Sequence, residues 1–166
     1  METLQCIRRH TGDESLLFVN SSGSTLHAAC SATSYSSLEA VEYLINEVNV
    51  PIFTVNENGD TPLHICVRSG ANNILLTILQ SQLKPFERSD DDVIPSTITN
   101  DEESFIKLLN AQNKQGDTLL HLSTPTVCEK IRQLCNHKYI DEMLENSKGK
   151  TSRDIERQAR DEQFRL

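Results

Sequence analysis

An all-α fold built from stacked helix–turn–helix units is predicted by three features of the chain. First, NENGDTPLH at 56–64 returns as NKQGDTLLH at 113–121 and, more loosely, as NSSGSTLH at 20–27 and NSKGKTSRD at 146–154. A period of this size marks a repeat architecture. Second, each of the first three starts is followed by apolar residues at helical spacing. Third, apolar residues make up 37% of the chain, aromatics only 5%, and there is no Trp, so the core falls to Leu, Ile, Val and Ala.

The elements follow in order. In the first unit, residues 20–55, Ser24 and Thr25 stand where the second copy has Thr61 and Pro62, so a cap is expected but a less rigid helix start. Its second helix carries Leu38, Val41, Leu44 and Ile45. In the second unit, residues 56–112, Asn56 to Gly59 form a turn in which Gly accepts the positive φ that other residues resist. Thr61 caps the helix, Pro62 occupies the first helical position where a missing N–H costs nothing, and Leu63 points into the stack. The second stripe is Ile74, Leu75, Ile78 and Leu79. Each such buried side chain stabilises by about 1.5–3 kcal/mol, and no unit buries its stripe alone.

An insertion at about 83–104 interrupts this second unit. ERSDDDVIPSTITNDEE at 87–103 holds seven carboxylates and one Arg, a net of −6 in a chain of formal charge −8. DEESFIKLLNAQN then reads as a short helix with acids at its N-terminus, where the macrodipole favours them, and Phe105, Ile106, Leu108 and Leu109 available to pack. Two readings stay open for the loop. It is either a solvated insertion tolerated because closure costs little with length, or an element that touches a partner. Ser89 and Thr99, each with acids downstream, fit acid-directed phosphorylation. The third unit, residues 113–145, has Leu119 where Pro stood, Pro125 ending a short first helix, and a stripe of Ile131, Leu134 and Cys135. The last copy, 146–166, replaces Pro, Leu and His by Ser152, Arg153 and Asp154 and is charged throughout, as a capping unit requires.

The spacings between equivalent positions are 37 (His27 to His64), 57 (His64 to His121) and 33 (His121 to Asp154). On these residues the chain resembles the ankyrin-repeat family, whose pattern is G-x-T-P-L-H-x-A. The last spacing is the family period, and the other two exceed it by insertions of 4 and 24. The resemblance implies an all-α ankyrin-repeat solenoid, one domain over 1–166, with half-repeat caps and one long acidic insertion. METLQCIRR, with Leu4 and Ile7 one turn apart, resembles the second helix of a truncated first repeat, making 1–19 the N-terminal cap. His64 resembles the family histidine that bonds the capping Thr and neighbouring loop backbone.

Several chemistries are excluded. An acidic chain argues against sequence-independent nucleic-acid binding. No apolar run approaches the roughly 20 residues of a membrane span, and the start lacks a signal-peptide core, so a cytoplasmic or nuclear location is expected. A fragment of a larger protein is a further alternative, against which Met1 and the charged terminus lean. The five cysteines lack CxxC spacing and read as small buried apolar residues. Cys128, Cys135 and His137 do not form the close pairs of a zinc site. His27, His64 and His121 occupy successive layers about 10 Å apart, too far for one metal at about 2.0–2.1 Å from each nitrogen. SKGKT at 147–151 has Leu144 where a phosphate-binding loop needs Gly. No nucleophile–base pair is recognisable. Neither enzyme, cofactor nor metal site is expected.

The resemblance implies a monomeric protein-binding module working through a concave face of turn tips and first helices. Its contact residues would be Glu57, Asn58, Asp60, Arg68, Lys114, Gln115 and Asp117, with Asp90, Asp91 and Asp92 from the insertion. The acidic insertion resembles inhibitors of the inhibitor-of-kappa-B type, which sequester an NF-kappa-B/Rel-type transcription factor by masking a basic segment. The Asp-Ser-Gly degradation signal of that group is absent. The alternative is an adaptor or targeting subunit delivering an enzyme or substrate, with the insertion as a docking loop.

Overall fold

The computed structural model describes residues 19–32, 35–83, 100–135, 137 and 139–163. The expected N-terminal helix around Leu4 and Ile7, and Ser89, Asp90, Asp91, Asp92 and Thr99 of the insertion, lie outside these residues. The described part contains eight helices and one two-stranded hairpin, an all-α architecture. It divides into two compact units at Leu75 and Leu76.

The first unit opens with a hairpin, β1 (Val19–Asn20) and β2 (Gly23–Ser24), in which Val19 faces Ser24 and Asn20 faces Gly23. Helix α1 (Thr25–Ser31) starts at Ser24, which has extended φ/ψ as an N-cap should. Helix α2 (Tyr35–Asn46) follows and packs on α1. Of its expected stripe, Val41 and Leu44 are buried and Leu38 and Ile45 half-buried. Val50 and Ile52 in the following loop are buried as well. Helix α3 (Pro62–Ser69) packs against α1. Pro62 holds its first position and Gly70, at φ +73°, ends it in the left-handed conformation with its N–H on the last turn's carbonyls. Leu26, Cys30, Leu63 and Cys66 meet at this helix pair, each at most 1% exposed. Helix α4 (Asn72–Leu83), within which the division between Leu75 and Leu76 falls, buries Ile74, Leu75, Ile78 and Leu79 as its spacing required.

In the second unit the helix expected after the insertion is α5 (Asn100–Leu109). It buries Phe105, Leu108 and Leu109 and leaves Ile106 half-buried. The Phe105 ring meets Tyr139 edge to face at 6.1 Å. Asn110 fixes the end of the helix: its amide donates to the carbonyls of Ile106 and Tyr139, and its oxygen accepts the N–H of Asp141. Helix α6 (Leu119–Leu122) is one turn long, because Pro125, which lacks a donor, opens α7 (Pro125–Leu134) directly behind it. The inward face of α7 is Val127, Cys128 and Ile131, continued by Cys135, while Leu134 is half-buried. The last helix, α8 (Ser152–Gln163), packs on α6.

Candidate functional site

The surface expected to meet a partner is built on a turn that occurs three times with the same bonds. Asn56 accepts the backbone N–H groups of Asn58 and Asp60 on its side-chain oxygen. Asn113 does the same for Gln115 and Asp117, and Asn146 for Lys148 and Lys150. Three residues on, Gly59, Gly116 and Gly149 sit at φ +74°, +74° and +65° and donate back to the asparagine carbonyl at 2.9 Å. An asparagine side chain that imitates backbone makes such a turn stiff without sheet pairing.

Behind each tip a histidine joins the turn to the helix. The N–H of Ser24 donates to His27 Nδ1 at 3.0 Å, that of Thr61 to His64 Nδ1 at 3.2 Å and that of Thr118 to His121 Nδ1 at 3.1 Å. The far nitrogen reaches the next turn. His27 Nε2 donates to the carbonyl of Asp60, and His121 Nε2 to that of Lys150, each at 2.9 Å. An amide N–H can only donate and a carbonyl only accept, so His27 and His121 are neutral with the proton on Nε2. Burial lowers the pKa of His27, opposed by its bond to the Asp60 carbonyl and by the Asp60 charge. In the last copy a carboxylate does this work: Asp154 Oδ2 accepts both the N–H and the hydroxyl of Thr151, at 3.1 and 2.8 Å.

Neighbouring tips are also laddered within each unit. Glu57 N–H donates to the Ser21 carbonyl in the first unit, and Ser147 N–H to the Gln115 carbonyl in the second. Glu57, Asn58, Lys114 and Gln115 are therefore exposed side chains on fixed backbone. Two other expected contact residues sit differently. Asp60 is 2% exposed, and its carboxylate takes the Arg68 guanidinium at 3.3 Å. It was expected at an exposed tip, but its position just before the cap turns the side chain inward. Asp117 is half-buried and accepts Asn146 Nδ2 at 2.8 Å, so it serves the joint between successive turns. Arg68 remains exposed.

Sequence reasoning missed one cluster. Arg132, 6% exposed, is bonded to both Glu142 and Glu156; Arg153 also pairs with Glu142 and Arg160 with Glu156. The Glu156 hydrogen bond, with help from Glu142, raises the pKa of Arg132 and keeps it charged despite burial. Burial works against ionisation of Glu142, yet hydrogen bonds from Arg132 and Arg153 hold its pKa below the usual carboxylate value. The partners lie 10 and 24 residues from Arg132, beyond any local pattern.

Among the described residues no group of three His, Cys, Asp or Glu could hold a metal ion. Cys30, Cys66, Cys128 and Cys135 are free and buried. Burial pushes the thiols of Cys128 and Cys135 up to about 12. A hydrogen bond with the Cys30 thiol, and burial, raise Cys66 as well. Such thiols pack and do not react. Among the described residues no helix is long and apolar enough to cross a membrane.

This pattern of turn, histidine joint and helix pair agrees with comparison to known proteins. A family model described as ankyrin repeats in three copies matches residues 5–89, about half of the 166 residues. The chain belongs to the ankyrin-repeat family, whose repeats mark it as a protein–protein interaction module. No curated protein matches the chain. The same turn and cap recur beyond the matched stretch, at 113–121 and 146–154.

Proposed function

We propose that this chain is a non-enzymatic module that binds a partner protein through its turn tips and first helices, with Glu57, Asn58 and Arg68 contributing from the first unit and Lys114 and Gln115 from the second. The observation that carries this reading is the exposure of these side chains on turns already locked by Asn56 and Asn113. A surface ordered before binding loses little entropy on association. The formal charge of −8 supports a basic segment as the partner's contact. An inhibitor-of-kappa-B-like role, sequestering the basic localisation segment of a Rel-type transcription factor in cytoplasm or nucleus, is the narrower form of this proposal.

Affinity capture from cell extract with the wild-type chain and a Glu57→Ala/Asn58→Ala/Lys114→Ala/Gln115→Ala variant tests the surface. Only a small share of interface residues carries the binding energy, so the four are changed together. A partner held by the wild type and lost by the variant supports the proposal; equal retention contradicts it. Charge masking is tested separately by titrating salt. Affinity unchanged up to roughly 300 mM, where the Debye length is well below 10 Å, contradicts a basic partner segment. Deleting 84–104 then decides between a working insertion and a tolerated one.

A further inference from the structure

The second unit carries a cleft of about 510 Å³ between the end of α7 and the exposed side of α8, lined by none of the turn-tip residues. Its floor is Arg132, saturated by Glu142 and Glu156. Its wall is Arg153, Arg157 and Arg160 of α8, at positions i, i+4 and i+7, hence on one helix face. These three are not equally engaged. Arg153 is paired with Glu142. Arg157 reaches Asp154 only at 4.0 Å and is 76% exposed; Arg160 has one contact, at 3.5 Å, to a Glu156 already held by Arg132, and is 63% exposed. Each guanidinium has five donors in a planar fork, so Arg157 and Arg160 keep most of theirs without an acceptor among the described residues. His137 lies on the same rim.

We propose that this cleft is a second binding surface, for an extended acidic segment of a partner protein with carboxylates at alternate positions. The geometry selects that occupant. Arg157 and Arg160 are separated by a rise of about 4.5 Å, and Arg153 and Arg157 by about 6 Å. Same-face side chains of an extended strand recur about every 6.6 Å, within reach of two flexible arginine stems. Arginine forks match carboxylates in pairs of parallel hydrogen bonds. Glu129, Glu156 and Asp161 also line the cleft and offset most of the charge of its four arginines, so the carboxylates are taken by the spare donors of Arg157 and Arg160. The surface is opposite in sign to a contact for a basic segment, so the two are independent.

The test is fluorescence anisotropy with a labelled peptide of alternating Asp and Ser, and its Asn–Ser counterpart, on the full chain at roughly 20 mM salt. The Asp peptide binds, the Asn peptide does not, and Arg157→Glu/Arg160→Glu weakens binding by about tenfold or more. Both arginines are exposed, so far-UV circular dichroism of the variant should match the wild type; if it does not, Arg157→Gln/Arg160→Gln replaces it. Binding that is absent from the wild type, unchanged in the folded variant, or equal for the Asn peptide overturns the proposal. Inorganic phosphate displacing the peptide at matched concentration overturns the assignment to a peptide.

Discussion

Replacing Arg132 by Ala removes the one cation shared by two sequestered carboxylates. The Arg132 side chain is 8% exposed, that of Glu156 6% and that of Glu142 15%. An exposed ion pair of the same composition would contribute about 0–1 kcal/mol. A buried one broken on one side leaves uncompensated charge, and costs about 3–5 kcal/mol. With a urea slope of about 2 kcal/mol/M, the transition of the second unit moves down by about 2 M. The assay is urea denaturation by far-UV circular dichroism, with hydrogen exchange of the 119–163 amides assigning the loss to this unit. The pH dependence carries a second signature. Because the folded pKa of Glu142 is depressed, its contribution is present above the ordinary carboxylate pKa and lost as pH falls through the folded value. In Arg132→Ala that carboxylate keeps only Arg153 against the effect of burial, so its pKa is less depressed and the gap between variant and wild type shrinks on acidification. Arg132→Met/Glu142→Leu/Glu156→Leu, which removes all three charges, is close to neutral. A loss below about 1 kcal/mol for Arg132→Ala at pH 7, or a gap that widens in acid, refutes the reasoning.

Three further outcomes follow from the joints. His27 has a lowered pKa, so its contribution is complete above the unfolded value of about 6.5 and is lost as pH falls below it; thermal melts of wild type from pH 7.5 to 5.5 drop more than those of His27→Gln, which keeps a capping side chain but cannot titrate. Gly116→Ala and Gly70→Ala both force a side chain to positive φ, about 1–2 kcal/mol, but a Cβ at Gly116 also meets Ser147 N at 2.9 Å and Asn146 Cα at 3.0 Å, whereas Gly70 faces open space; Gly116→Ala has the lower urea midpoint. Asp154→Ala, which leaves the Thr151 N–H and hydroxyl without their acceptor, speeds hydrogen exchange at the start of α8 more than Asp154→Asn does.

The recurrent nonapeptide made the repeat legible, because each of its residues has a local duty. Thr61, Pro62 and Gly59 specify cap, first helical position and turn whatever surrounds them. The apolar stripe of α4 was readable for the same reason: its period is set by the helix itself. Pro125 likewise foretold the single turn of α6. What local pattern could not carry was pairing across the chain. The segment from Arg153 onward looks uniformly polar, yet Glu156 is 5% exposed because Arg132, 24 residues earlier, lies against it. Asp60 looks like a tip residue, but it faces inward to Arg68. The asparagine at each turn start was visible as a turn former, while its double acceptance from the backbone emerged only with coordinates.

The histidine joint is the feature on which the repeat reading rests most heavily, and long-range ¹H–¹⁵N correlation spectra of the imidazoles at pH 7.5 probe it directly. Neutral rings protonated on Nε2 are expected for His27 and His121, with slowly exchanging Nε2 protons where the Asp60 and Lys150 carbonyls accept them. Rings protonated on Nδ1, or Nε2 protons that exchange as freely as in solvent, would mean that these side chains do not join one turn to the next.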